Sequence, residues 1–355
     1  GSASSRQGEL KAGDLILKVA QGSAEPVDIV DMKLDDAIQL IRGKKGTEVR
    51  LTVKKPDGSI VIIPIVREVV VIEESFARSA MMEYKGKRFG MIHLPSFYAD
   101  FSQRGRGRNC TGDVKAEISK LTKEGALGII IDLRNNGGGS LADAIEMGGL
   151  FIPQGPIVQV KDMRGIEVHM DRNPSVDYNG PLVILTNTYS ASASEILAAA
   201  LQDYGRAIIL GGKSTFGKGT VQTFVELPGG MSDVFPRGYG QLKVTIQKFY
   251  RINGGTTQLR GVEPDVVLPD VYDGIEQGEK EMDFHLAYDK IPAAAYQSFN
   301  PYKESQRRKA IEASKKRLSK NEYYALVQKR ATELTAVRNA YTYSLNMKKF
   351  ELQQE

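Results

Sequence analysis

At 355 residues, with 41% hydrophobic and 26% charged side chains, the chain has a globular composition with room for two or three domains, and is neither disordered nor fibrous. A single cysteine, Cys110, excludes an internal disulfide and a cysteine metal set. The net charge of +5 is local: residues 301–355 carry 13 Lys/Arg against 6 Asp/Glu and leave −2 for the rest, so the body lacks the basic face of a nucleic-acid binder.

No stretch approaches 18 consecutive apolar residues, and the first residues show no charged segment followed by an apolar one. In chain order, residues 8 to 70 form a small β-rich unit. An apolar strand runs from Leu15 to Val19, and Leu34, Ala37, Ile38 and Ile41 share one face of a helix that Gly43 ends. Val49 to Val53 alternates with period two, and Pro56-Asp57-Gly58 turns it into Ile60 to Val66 as a hairpin. This core is thin for a free-standing domain, and the chain is expected to begin inside the unit.

From 71 to 270 strands alternate with helices, the pattern of α/β layering. Strands are expected at Gly90–Leu94, Gly128–Leu133, Leu182–Leu185, Ala207–Leu210, 221–225 and 242–249, with helices at 114–121, 141–150 and 195–201. Residues 271–355 read as helices, Lys303 to Leu318 and Asn321 to Asn339. Leu326, Ala331, Leu334 and Val337 form an apolar stripe on the second, expected to pack on the core.

The densest chemical signal is Thr188-Tyr189-Ser190-Ala191-Ser192-Ala193-Ser194-Glu195-Ile196, between a buried strand and a helix. Small residues around each serine permit a sharp turn that presents one hydroxyl beside unpaired helix N-terminal amides. The plainer reading is a capping box, Ser192 with Glu195, yet a cap needs one serine and not three.

A serine nucleophile needs a base. The histidines His93, His169 and His285 stand in no motif with the serines, although a Ser-His-Asp triad needs no sequence proximity. Lys218, between Gly217 and Gly219, can serve if burial leaves its amine neutral. The same segment offers a rival, because Gly212-x-x-x-x-Gly217-Lys218 after an apolar strand matches part of a phosphate-binding loop. Residue 219 is Gly where a Ser or Thr would hold Mg²⁺, and Asp132 is the one acidic residue at a neighbouring strand end. The third signal, Asp132-Leu133-Arg134-Asn135-Asn136-Gly137-Gly138-Gly139-Ser140, is a buried strand entering a glycine turn whose amides suit an anion.

Together and in this order, 132–139, 190–196 and 216–222 resemble the motifs of the carboxy-terminal processing peptidases, or tail-specific proteases, a Ser/Lys-dyad serine peptidase family. Phe249-Tyr250-Arg251 and Gly261-Val262-Glu263-Pro264-Asp265 are similar to the end of that family's core. The resemblance implies an α/β, crotonase-like layered protease core at 71–270, a partial β-rich PDZ domain at 1–70 whose N-terminal part is missing, and a helical C-terminal extension at 271–355. It implies Ser192 as nucleophile, Lys218 as general base, Gln222 as the residue orienting the amine, and the amides of Gly138 and Ala193 as oxyanion hole. Asp203, near the helix end, would pair with Arg206 or support the site. The interval from Ser192 to Lys218 exceeds the family's by one residue, which falls in the Gly211–Thr215 loop.

It further implies protein substrates bound by their C-termini, a lipoprotein adaptor, a periplasmic location, no cofactor and no metal. The alternatives are a substrate-tethering scaffold with a weak or inactive core and, behind it, the nucleotide-binding loop.

Overall fold

A computed structural model describes residues 2–68, 73–100, 107–227, 240–340, 342 and 344–354. The chain divides into two compact units, Gly1–Ser75 and Phe76–Glu355.

The first unit holds helix α1 (Ala3–Gln7), strands β1 (Leu15–Gln21) and β2 (Val27–Asp28), helix α2 (Leu34–Ile41), and strands β3 (Glu48–Lys54) and β4 (Ile60–Val66). The sheet is antiparallel in the order β2-β1-β3-β4. The period-two pattern places Val49, Leu51 and Val53 inside, opposite Ile63 and Ile65. Helix α2 stops at Ile41 because the chain must pass under Arg67: a Cβ at Gly43 would lie 2.7 Å from that guanidinium, which bonds the carbonyls of Leu40 and Ile41.

The second unit is built on a six-stranded sheet of order β14-β11-β10-β7-β6-β5. Its members are β5 (Arg78–Tyr84), β6 (Lys87–His93), β7 (Ile129–Asp132), β10 (Leu182–Thr186), β11 (Ile208–Gly211) and β14 (Val266–Val267). Strands β6, β7, β10, β11 and β14 run parallel, and β5 adds an antiparallel edge. Ile129, Ile131, Ile184 and Ile209 are buried to 1% exposure or less, as continuous apolar strands of a covered parallel sheet require. Helices α3 (Cys110–Lys123), α4 (Leu141–Gly149) and α5 (Ala193–Asp203) pack with it in one core. A second, antiparallel sheet joins β12 (Thr220–Glu226), β13 (Gln241–Tyr250), β8 (Gly155–Asp162) and β9 (Gly165–Asp171) in that order. The hairpins β5–β6 and β8–β9, which turn at Lys85-Gly86 and Met163-Arg164, add strands to those read from the sequence.

The C-terminal region carries α6 (Glu304–Leu318), α7 (Glu322–Arg338) and α8 (Met347–Gln354). The helices expected at Lys303–Leu318 and Asn321–Asn339 are α6 and α7, and two details around them differ. Residues 271–303 are not helical: apart from a short turn at Glu279–Glu281 they run as an irregular strap, bonded by Ile291 N–H to Gly254 O, Ala294 N–H to Ile252 O and Phe299 N–H to Tyr204 O. The α7 stripe does not pack as a whole, since Ala331 is buried while Leu326 and Val337 are exposed. No helix among the described residues is long and apolar enough to cross a membrane.

Candidate active site

The motif segments leave the carboxyl ends of three adjacent parallel strands, where open α/β sheets place their sites: β7 ends at Asp132, β10 leads to Ser192 and β11 to Lys218.

The three serines have different surroundings. Ser190 is buried and its hydroxyl donates to Leu133 O at 2.8 Å; Ser194 is buried and donates to Asn136 O at 2.9 Å. The Ala191 amide adds a 3.0 Å bond to Asn136 O. These bonds fasten the turn to the 133–136 segment and leave Ser192, partly exposed, at its apex. Ser192 has φ +56° and ψ −112°, a conformation costing a side-chain-bearing residue about 1–3 kcal/mol unless its surroundings impose it. The capping reading holds in one arm, because the Glu195 carboxylate accepts from Ser192 N–H at 2.8 Å.

Gly138 (φ +100°) lies against this apex: a Cβ there would come within 2.8 Å of Ser192 Cβ and of Ala191 O. The two expected oxyanion donors are unequal. Ala193 N–H is the first amide of α5 and has no acceptor within the helix. Gly138 N–H instead donates to Asn136 Oδ1 at 2.9 Å, so it is taken in this arrangement. Asn136, fully buried, also donates to Leu94 O and is a determinant the sequence reading passed over.

Lys218 is half-buried, and its Nζ donates to Gln222 Oε1 at 3.1 Å, which brings those two residues together. No hydrogen bond joins Nζ to Ser192. Desolvation lowers the lysine's pKa, with help from Lys243, against the opposing charges of Glu279 and Glu195. The link between the two halves runs through Glu195. Fully buried, it accepts from Ser192 N–H and Lys218 N–H on the same oxygen, Oε2, at 2.8 and 3.0 Å; Oε1 accepts from Thr215 Oγ1 at 2.6 Å and Gly217 N–H at 2.8 Å. Burial pushes its pKa up to about 7, with the four donors opposing.

A second clamp closes on the lysine segment from 256–259. Gly219 N–H donates to Gln258 Oε1 at 2.8 Å, Thr257 Oγ1 to Lys218 O at 3.1 Å, and Leu259 N–H to Gly217 O at 2.8 Å. Gln258 is fully buried and also donates to Glu279 Oε1, whose own N–H bonds Phe216 O at 2.9 Å. Thr215, Thr257, Gln258 and Glu279 have no periodicity or motif that would have singled them out.

Asp203 belongs elsewhere. It ends α5, about 16 Å along the helix from Ser192. It pairs with Arg251 at 2.6 Å and accepts from Asn253 at 2.9 Å, rather than from Arg206. The histidines stay apart from Ser192: His93 lies 3.8 Å from Asp132, which Arg134 holds with two bonds, His169 lies 3.9 Å from Glu167, and His285 contacts Met282 O. The phosphate-loop reading fails on two counts. The segment runs into strand β12 and not a helix, and a carboxylate already occupies the amides of Gly217 and Lys218.

Comparison with known proteins shows the family. The model of "Peptidase family S41" matches residues 88–268. The chain belongs to peptidase family S41. Around this S41 region, residues 1–54 match the PDZ domain and 272–355 match the C-terminal domain of tail specific protease. A tail-specific protease of Haemophilus influenzae is 44% identical over 298 residues, 83% of this chain and 41% of that protein. A carboxyl-terminal-processing protease of Picosynechococcus is 34% identical over 73% of this chain and 57% of its own. The chain thus spans about half the length of these curated S41 relatives. The solved structure of a photosystem II D1 C-terminal processing protease aligns with a TM-score of 0.45 at 27% identity, covering 75% of this chain and 65% of that one.

Proposed function

We propose that this chain is a serine endopeptidase that processes the C-terminal ends of proteins by a Ser192/Lys218 dyad. The observation that carries this reading is the shared Glu195 oxygen, which ties the strained serine apex to the backbone of the one half-buried, pKa-lowered lysine beside it. In this scheme Lys218 Nζ, neutral, takes the Ser192 hydroxyl proton as Oγ attacks the scissile carbonyl. The carbonyl oxygen becomes an oxyanion facing Ala193 N–H, and its collapse leaves an ester on Ser192 while the lysine returns the proton to the departing amine. Water, deprotonated by the same amine, then hydrolyses the ester. Gln222 steers the amine, and Glu195 is a positioning residue.

The first unit supplies recognition in this reading: a PDZ domain adds a peptide's C-terminal residues as a strand and holds the carboxylate on backbone amides. Delivery by a lipoprotein adaptor and a periplasmic location belong to the same proposal and rest on the family resemblance.

The lysine's bond to Gln222 and the missing bond to Ser192 favour a second reading, a resting arrangement that closes when substrate binds. Labelling with a fluorophosphonate probe, followed by peptide mapping, tests both. Adduct on Ser192 that disappears in Lys218→Ala establishes an assembled dyad. Adduct only in the presence of a C-terminal peptide establishes the resting form, and a folded chain that never labels at Ser192 ends the assignment.

A further inference from the structure

Strand β9 is a sheet edge: among the described residues no strand pairs with its outer side. Soluble proteins blunt such edges by brevity, proline or lysine. The edges β2 and β14 are two residues long and β4 carries Pro64, whereas β9 runs for seven residues, Gly165-Ile166-Glu167-Val168-His169-Met170-Asp171, with neither proline nor lysine.

One face of this strand is apolar and uncovered. Ile166, Val168 and Met170 alternate along it and are 40–47% exposed. Val168 stands opposite Gln159 of β8, whose side-chain amide donates to Arg251 O and Pro292 O, so the strap at 271–303 covers this face at β8 and leaves the three β9 side chains open. The other face carries Glu167 and His169, 3.9 Å apart.

These residues are arranged symmetrically about Val168. Laid antiparallel against a second copy on a twofold axis through Val168, the strand sets Val168 opposite Val168, Ile166 opposite Met170, and Glu167 opposite His169, each pair repeated by the axis. Opposed side chains share a face, so the apolar residues of both copies join in one patch and each carboxylate gains a second imidazole. Other registers lose this match. A slip of one residue opposes apolar to charged side chains, and a slip of two opposes Glu167 to Glu167 or to Asp171. Arg164 and Arg172 stand opposite each other just beyond the strand ends, where Asp162 already holds Arg164 with two bonds.

We propose that two copies of this chain pair through β9, antiparallel and centred on Val168, fusing their four-stranded sheets into one of eight strands. Strand β12, which begins two residues after Lys218, then lies at each far end of that sheet, the two about 34 Å apart at seven spacings of ~4.8 Å, so both Lys218 segments stay clear of the interface.

Sedimentation velocity on the whole chain over micromolar concentrations should show a concentration-dependent shift to twice the chain mass. Val168→Lys, which puts two ammonium groups on the axis, should weaken the dimer about 100-fold and leave the far-UV circular dichroism unchanged, since the side chain is exposed in a single copy. His169→Glu opposes carboxylate to carboxylate and should weaken it about tenfold, and adding Glu167→His should restore it with the signs exchanged. Cysteine cross-linking reads the register. Val168→Cys sets two thiols across the axis with Cα atoms about 5 Å apart and should form an interchain disulfide on oxidation, whereas Ile166→Cys, about 14 Å from its own copy, should not. The native Cys110 is buried and stays out of the reaction. The proposal falls if the chain is monomeric throughout, if a folded Val168→Lys chain dimerises as before, or if Ile166→Cys cross-links as readily as Val168→Cys. A monomer whose β9 amides are protected from exchange by an added extended apolar peptide, and not by a second copy, also overturns it.

Discussion

Ser192 and Lys218 are held by different kinds of structure. The serine rests on the backbone of a strand end: the Ala191 amide and the Ser190 and Ser194 hydroxyls all donate to carbonyls of the 133–136 segment, and Gly138 packs on its apex. The lysine hangs largely on side chains, those of Glu195, Thr257 and Gln258. A nucleophile fixed by sheet and turn has its place as soon as the core forms. A base fixed by a carboxylate with its pKa near 7 and by an amide from residue 258 has a place that depends on protonation and on distant sequence. In the proposed dyad the lysine is the adjustable half.

Breaking the rigid half should have the largest effect. Gly138→Ala puts a methyl against Ser192 at a φ unfavourable to alanine, and peptidase turnover should fall about 10²-fold or more, since small misplacements of reacting groups cost that much. Wild-type rates in that variant would mean the turn does not set the nucleophile.

On the adjustable half, Glu195→Gln should lower turnover about tenfold at pH 8, because an amide NH₂ must face N–H donors that the carboxylate accepted. It should also reshape the pH profile. Below about pH 7 Glu195 gains a proton and loses an acceptor site, while rising pH increases the neutral fraction of Lys218, so both changes make turnover climb with pH. Glu195→Gln removes the component near 7 and leaves the lysine's; an unaltered profile would detach Glu195 from the dyad. Gln222→Ala, which frees the amine, should cost about fivefold in kcat with little change in KM.

Gln258→Ala should show the smallest catalytic loss, about twofold. It leaves Gly219 N–H without an acceptor, so urea unfolding should show it about 1–3 kcal/mol less stable than the parent chain.

Much of this comparison was legible before any coordinates. Strand and helix periods gave the order of the core from Gly90 to Phe249, the strand-end segments drew attention to Ser192 and Lys218, and the family resemblance added Gln222, whose side chain the structure places 3.1 Å from the Lys218 amine. Most of what escaped has a physical reason. The edge strand Arg78–Tyr84 lacks a clean apolar alternation, so period did not separate it from a loop, whereas Gly165–Asp171 does alternate, through Ile166, Val168 and Met170, and was passed over although its period was legible. Glu195 was visible only as a local cap, since its contacts with Thr215, Gly217 and Lys218 span 20 residues or more. Gln258 lies in an irregular segment, where position is set by burial that sequence does not display. Asp203 was drawn to its near neighbour Arg206, whereas Arg251 and Asn253 reach it from about 50 residues away.

The bond from Glu279 N–H to Phe216 O, with the neighbouring Gln258 contact, joins residues on either side of the 268–272 interval that separates the two matched regions. Mechanically that interval is no seam. A core cut there would keep every residue named in the motifs and lose the far anchor of the Lys218 loop, so the hydrogen bonds that hold this loop extend past the stretch by which the family is recognised.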